Sequence, residues 1–302
     1  MLRTLIIART YMPKTVLVTG ANGQLGSELQ ALASAYSKYE FIFTERKELD
    51  LSSSESIENF FKEKQFDVII NCAAYTAVDK AESDEEIAYV INHKAVETLA
   101  HIAKKKNISL IHISTDYVFD GSHFKPYTED EPTNPQSIYG SSKLAGEEAL
   151  QSINPRNSII IRTSWVYSSF GNNFVKTMLH LGRERETLGV IFDQVGTPTY
   201  ARDLASAVLT IIPQLSNNDV EILHYSNEGV CSWYDFAIAI FEMQSITCHV
   251  NPIETKEYPT PATRPHYSLL NKTKIKENYT LTIPYWRDSL RDCITQIMSV
   301  EG

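Results

Sequence analysis

A short apolar run, Lys14–Thr19 (Lys-Thr-Val-Leu-Val-Thr), feeds directly into Gly20-Ala21-Asn22-Gly23-Gln24-Leu25-Gly26 and then into Ser27-Glu28-Leu29-Gln30-Ala31-Leu32. The order predicts a strand, a glycine turn and a helix, the opening unit of a parallel sheet. Gly20 suits the tight turn, Gly23 lets backbone approach a pyrophosphate, and Gly26 lets the helix lie close on the strand. A pyrophosphate would sit on the helix N-terminus, where free N–H groups and the dipole favour anions. The spacing is G-x-x-G-x-x-G, and a lone glycine trio is equally well a plain turn. Here the flanks select the dinucleotide reading.

Apolar periodicity extends this unit. Strands are expected at residues 41–43, 66–71, 108–114 and 158–162. Helices are expected at 54–64 and 85–106, with another opened by Tyr139. Alternation of this kind predicts a Rossmann-like, doubly wound parallel α/β sheet that binds its ligand beyond the strand C-termini. Residues 13–165 are assigned to this dinucleotide-binding domain and 166–302 mainly to a smaller C-terminal substrate domain. In the second part, helices are expected at 174–185, 202–215 and 232–242, and strands at 188–192 and 221–225. The helix near 200–215 is expected to return to the first domain. Pro252, Pro259, Pro261 and Pro265 break up a region read as loop-rich. Residues 1–12 read as an extension, since Leu5-Ile6-Ile7-Ala8 is too short for a signal segment.

Charge and cysteine usage narrow the class. The formal charge is −9, and the densest basic cluster, Lys104-Lys105-Lys106, falls at a helix end, which argues against nucleic-acid binding. The cysteines Cys72, Cys231, Cys248 and Cys293 have neither disulfide nor metal spacing and fit a reducing cytoplasm. Cys72 reads as buried in its strand and inert. No stretch reaches the roughly 20 apolar residues that span a bilayer, so no membrane partner is expected.

The chemistry is carried by Tyr139 and Lys143, four apart in Tyr-Gly-Ser-Ser-Lys ahead of Leu144-Ala145-Gly146-Glu147. One helical turn puts phenol and ammonium on one face. The ammonium is expected to lower the phenol pKa, and such a tyrosine can protonate a ketone oxygen as hydride reaches the carbon. By themselves the two residues fit an exposed helix face just as well. Their company decides between the readings.

Several strings in order resemble the extended short-chain dehydrogenase/reductases, and within them the dTDP-4-dehydrorhamnose reductases. They are the glycine turn, Ala73-Ala74-Tyr75-Thr76-Ala77-Val78-Asp79-Lys80-Ala81-Glu82, Ser114-Thr115-Asp116-Tyr117-Val118-Phe119-Asp120-Gly121 and the Tyr139 string. Arg162-Thr163-Ser164-Trp165-Val166-Tyr167, Gly171-Asn172-Asn173-Phe174-Val175-Lys176-Thr177-Met178, Asp193-Gln194-Val195-Gly196-Thr197-Pro198-Thr199 and Arg264-Pro265 continue the match. The resemblance implies reduction of the C4 ketone of dTDP-4-dehydro-L-rhamnose by NADPH or NADH. It implies that Tyr139 gives the proton, that Lys143 holds the nicotinamide ribose, and that Thr115 hydrogen-bonds the ketone oxygen. Thr115 is otherwise a strand-end hydroxyl serving local backbone.

Further roles follow from the same resemblance. Gly20, Gly23, Gln24, Leu25, Gly26, Asp50, Leu51, Ala73, Ala74, Tyr75, Thr76 and Asn92 would contact the cofactor. Glu45 would favour NAD and Arg46 the NADP phosphate; the family uses either, and the balance is set slightly toward NADPH. Asp116 would accept a sugar hydroxyl or make an Asx turn. The dehydratases of this superfamily carry a second carboxylate directly after it, and Tyr117 stands there in this chain. Trp165 would pack on the deoxysugar or serve as a core tryptophan. Asn173, Lys176, Gln194 and Arg264 are candidates for pyrophosphate or thymine, with an ion pair as the ordinary alternative for Arg264. Some family members hold Mg²⁺ at a dimer contact built from glutamates. Glu28 matches one such position, but Arg202 replaces an acid there, which argues against a metal. A homodimer is compatible with the family and is not specified by the chain. Two other readings remain open: a different nucleotide-sugar reductase or epimerase, and a non-catalytic regulatory subunit of the methionine adenosyltransferase type.

Overall fold

A computed structural model describes residues 13–301, so the extension expected over residues 1–12 lies outside the described residues. The first half runs β1 (Lys14–Thr19), α1 (Gln24–Ala33), β2 (Tyr39–Thr44), α2 (Ser54–Phe61), β3 (Val68–Asn71), α3 (Val78–Ala81), α4 (Glu85–Tyr89), α5 (Ala95–Lys106), β4 (Ser109–Thr115), α6 (Ile138–Ile153) and β5 (Ile159–Thr163). The second half runs β6 (Val166–Tyr167), α7 (Phe174–Glu184), β7 (Thr187–Ile191), β8 (Val195–Gly196), β9 (Thr199–Tyr200), α8 (Ala201–Ile211), β10 (Glu221–His224), β11 (Cys231–Ser232), α9 (Trp233–Gln244), β12 (His249–Ile253), α10 (Thr273–Tyr279) and α11 (Trp286–Glu301).

Six parallel strands form one sheet in the order β2-β1-β3-β4-β5-β10. Its strands are buried on both faces, as expected where helices cover both sides. Alternation along each strand divides two cores. Val16, Val18, Ile70, Ile111 and Ile161 meet Leu29 of α1 and Leu204 and Val208 of α8 on one face. Leu17, Ile69, Leu110 and Ile160 meet Ile57 and Phe61 of α2 and Leu99 of α5 on the other. A third core joins α7, β7, α9 and α11 through Val175, Met178, Leu188, Phe236, Ile240 and Leu290.

Three features differ from the sequence reading. The helix expected over residues 85–106 is broken by a π turn, Val90–Lys94, between α4 and α5. The strand at Glu221–His224, which the sequence reading left without a sheet, adds to the main sheet beside β5. The proline-rich region contains β12, which pairs parallel with β7 despite Pro252. This sheet has only two strands, so each is an edge, where a missing N–H is tolerated. Among the described residues, no helix is long and apolar enough to cross a membrane.

The strand order reverses at β1, which has β2 on one side and β3 on the other. Such a switch point opens a crevice at the strand C-termini. The glycine turn leaves β1 there, and Ala73 follows β3 immediately alongside.

Candidate active site

The crevice at the switch point has a volume of about 760 Å³. Its floor is built by close backbone approach. Gly20 adopts φ +67°, and a Cβ there would fall 2.8 Å from the Ala73 backbone. A Cβ on Gly26 would fall 2.3 Å from the Gly20 carbonyl oxygen, so α1 can cross the turn only as glycine. Gly23 caps α1 without a side-chain hydrogen bond, leaving the first N–H groups of the helix to a ligand.

Many of the residues expected at the cofactor do line this crevice: Gly20, Gly23, Gln24, Leu25, Glu45, Arg46, Asp50, Leu51, Ala73, Ala74 and Thr76. Gln24 also bridges to the second half of the chain, donating to the Val166 carbonyl (3.2 Å) and accepting from Asn173 (3.0 Å). The Asp50 carboxylate accepts from the Ser52 N–H (2.9 Å) and hydroxyl (2.7 Å), which hold its pKa below the usual value. Arg46 lies 3.6 Å from Asp50 and is highly exposed.

Tyr75 and Asn92 stand behind the wall. The Asn92 amide accepts from the Tyr75 N–H (2.8 Å) and donates to the Tyr75 carbonyl (3.1 Å) and the Ser142 hydroxyl (3.0 Å). It thereby fixes the chain after β3. Cys72 is also placed differently from the sequence reading. It lies one residue past β3, is half-buried, and lines the crevice.

Thr115, Asp116, Tyr139, Lys143 and Trp165 converge on the opposite wall. Thr115 ends β4, and α6 delivers Tyr139 and Lys143 in its first two turns. Two caps position that helix: the Ser137 hydroxyl accepts from the Gly140 N–H (3.2 Å), and Glu82 accepts from the Ile138 N–H (2.9 Å). A Cβ on Gly146 would collide with the Asn92 carbonyl oxygen at 2.1 Å, so α6 packs directly on the π turn.

The electrostatics differ from the sequence expectation. Burial pushes the Tyr139 phenol up to about 12, against a lowering contact with the Thr115 hydroxyl. Lys143 does not offset this. Its buried amine donates to the Ile113 carbonyl (2.6 Å) and faces His112 Nε2 (3.2 Å), and burial brings it down to about 8. One-turn spacing aligns the Cβ atoms, but the long lysine stem reaches to the Ile113 carbonyl within β4. Asp116 is buried too. Its Oδ1 accepts from Thr115 (3.1 Å), and burial raises it to about 7 against lowering contacts with Ser268 and Thr115. A protonated phenol beside a strand-end hydroxyl is set up to donate to an oxygen that gains negative charge.

Trp165 is held at φ +48°, a conformation that bulky residues rarely adopt. Its ring stacks on Trp233 (centroids 3.6 Å apart, planes 10° apart), and Gly196 leaves the room it needs. The other substrate candidates stand outside the crevice wall. Asn173 caps α7 at the Lys176 N–H (3.2 Å). Gln194 is buried and donates to Thr255 (3.1 Å). Arg264 makes a two-pronged pair with Asp79 (2.9 and 2.7 Å), so its ordinary alternative, an ion pair, is realised here. Glu28 is fully buried, accepts from Ser168 (2.6 Å) and lies 3.5 Å from Arg202.

Sequence reasoning missed the support beneath these residues. Glu147 takes two hydrogen bonds from Arg162 Nε (3.1 Å each), one from Nη2 (2.7 Å) and one from Ser114, all buried. Thr19, Asn71 and His112 form a hydrogen-bonded row under Lys143. The signal available was polar residues at the ends of otherwise apolar strands.

Fold and crevice together define an extended short-chain dehydrogenase/reductase with a Rossmann-like sheet. The chain belongs to the RmlD substrate binding domain family, whose pattern matches residues 14–299. It is 40% identical over 287 residues to a dTDP-4-dehydrorhamnose reductase of Aggregatibacter actinomycetemcomitans, covering 92% of this chain and 97% of the relative. It is 41% identical over 282 residues to the spore coat polysaccharide biosynthesis protein SpsK of Bacillus subtilis, covering 93% and 97%. The crystal structure of a dTDP-4-dehydrorhamnose reductase from Bacillus anthracis in complex with NADP superposes with a TM-score of 0.90 at 38% identity, covering 94% of this chain and all (100%) of that one.

Proposed function

We propose that this chain reduces the C4 ketone of dTDP-4-dehydro-L-rhamnose to dTDP-L-rhamnose, with NADPH as the preferred donor and NADH as the alternative, and with Tyr139 as proton donor. The observation that carries the reading is the convergence of Thr115, Tyr139 and Lys143 on the crevice that starts at the glycine turn. The names of the relatives and the NADP complex of the Bacillus anthracis enzyme support it.

The crevice suits a dinucleotide. The bare N-terminus of α1 would take the pyrophosphate, and Asp50 and Leu51 would flank the adenine. Glu45 and Arg46 would meet the adenine ribose or its phosphate, and Ala73, Ala74 and Thr76 the nicotinamide side. Bound NADPH supplies the hydride for C4. The protein supplies the rest. Thr115 donates a hydrogen bond to the ketone oxygen, and Tyr139 gives up its phenolic proton to that oxygen as the alcohol forms. The high phenol pKa keeps the proton on Tyr139 at neutral pH until an alkoxide, a stronger base, develops. Lys143 would then hold the ribose. Asp116 and Trp165 would contact the sugar, with Asn173, Lys176, Gln194 and Arg264 in the outer nucleotide region. In this reading residues 13–165, with the returning α8, hold the cofactor, and 166–302 mainly the nucleotide sugar.

The test is loss of NADPH or NADH absorbance, measured separately, with dTDP-4-dehydrorhamnose generated in situ. Consumption that depends on the keto sugar is expected. Tyr139→Phe is expected to lower turnover roughly 100-fold or more. Near-normal turnover in that variant would remove Tyr139 from its role, and no consumption by the intact protein would refute the activity.

A further inference from the structure

Gln24 opens α1, and its main chain and side chain serve different parts of the molecule. The main chain belongs to the helix end at the crevice, where Ser27 is the residue that bonds back to Gly23 (2.9 Å). The N–H groups of Gln24, Leu25 and Gly26 precede that bond and are open to a ligand. The side chain reaches the segment between β6 and α7. Gln24 Nε2 donates to the Val166 carbonyl (3.2 Å), and Gln24 Oε1 accepts from Asn173 Nδ2 (3.0 Å). A carbonyl only accepts, so the first bond fixes which way the Gln24 amide is turned. Asn173 is fixed equally. Its Nδ2 also donates to the Ser168 carbonyl (2.7 Å), and its Oδ1 accepts from the Lys176 N–H in the first turn of α7 (3.2 Å). Turning either amide over would set donor against donor or oxygen against oxygen, so the joint has one arrangement.

The segment 168–172 is tied to α1 at two points. Gly171 adopts φ +64°, and a Cβ there would fall 3.3 Å from Gln24 Cγ, so this turn rests on the glutamine stem. One helical turn further along α1, on the same face, the buried Glu28 accepts from Ser168 Oγ (2.6 Å), which itself accepts from the Phe170 N–H (3.0 Å). Gly171 and Asn172 line the crevice together with Gln24. A run of hydrogen bonds thus leads from the open end of α1 to the first turn of α7.

We propose, on the two ligands assigned to this site above, that Gln24 is a positioning residue that couples them: a cofactor pyrophosphate on α1 and the nucleotide of the sugar on the second half each tighten the other's binding. Pyrophosphate oxygens on the open N–H groups fix the first turn of α1, and with it the root of the Gln24 side chain. The joint passes that order to Val166, Asn173 and the cap of α7. A ligand of the second half then meets a segment already ordered and loses less conformational freedom on binding. Linkage makes the effect equal in both directions.

The full chain is titrated with NADPH, followed by cofactor fluorescence, with and without saturating dTDP. No keto sugar is present, so nothing turns over and affinities alone are read. Bound dTDP is expected to tighten NADPH about fivefold or more. Gln24→Met keeps a stem against Gly171 and loses both hydrogen bonds, and the ratio is expected to fall below about twofold. Asn173→Asp keeps the oxygen that caps α7 and loses the donor to Gln24. It should lower the ratio in the same way, and it stands in if Gln24→Met does not fold. An unchanged ratio in the folded variants would overturn the coupling, since a glutamine that only stiffens the fold weakens both ligands and leaves their ratio alone. Binding of dTDP to wild type is measured separately by calorimetry. Binding without any tightening of NADPH sinks the coupling alone, whereas no binding sinks the nucleotide-sugar reading and the coupling with it.

Discussion

Asp116→Asn removes a buried titration and leaves the shape of the side chain. The Asp116 carboxyl is 2% exposed and is raised from an ordinary 3.8 to about 7. The sign follows from which form the fold prefers. The folded protein favours the acid form, so the contribution of this group is fully present below pH 3.8 and is lost as pH rises through about 7. The interval between those values corresponds to about 4 kcal/mol, of which roughly 3 kcal/mol falls between pH 5 and pH 8.5. Other raised carboxyls, such as Glu28 and Asp203, cancel when wild type and variant are compared at each pH. Urea unfolding of both proteins at the two pH values measures the gap. The variant should gain on wild type by roughly 3 kcal/mol on going to the higher pH. A gap constant to within about 0.5 kcal/mol would show that Asp116 ionises normally in the folded state, and the burial argument would fail with it.

Glu147→Leu strips Arg162 and Ser114 of a fully buried partner and should cost about 3–5 kcal/mol in urea unfolding. A cost under about 1 kcal/mol would mean that Arg162 finds other acceptors. Gly26→Ala places a Cβ 2.3 Å from the Gly20 oxygen and 2.7 Å from the Ala21 oxygen, so α1 must move off the turn. A stability loss of about 1–3 kcal/mol and weaker NADPH binding by fluorescence titration are expected, and unchanged binding would count against the turn as the pyrophosphate site.

The short-range parts of this protein were legible in its sequence. β1, the glycine turn and α1 are consecutive, and their pattern needs only local sterics. The α6 helix is similar, since its capping Ser137 and the pair Tyr139 and Lys143 lie within seven residues. The crevice wall, too, largely follows from strand ends, where a parallel sheet must expose its ligand site. The π turn at Val90–Lys94 was not legible, because nothing in its composition separates it from the helices on either side. Nor was the place of β10, a four-residue strand that finds its partner β5 only when the sheet assembles.

Sequence alone determined the class of fold, the glycine turn and which residue types could carry the chemistry, because each depends on neighbours a few positions away. Tertiary structure decided what those residues experience. Lys143 meets His112 from 31 positions upstream and not the phenol one turn away, because the registers of β1, β3 and β4 bring Thr19, Asn71 and His112 into one row beneath it. Burial among the strand ends and the first turn of α6 raises Asp116 and Tyr139 above their ordinary values, and a linear chain carries no measure of that burial.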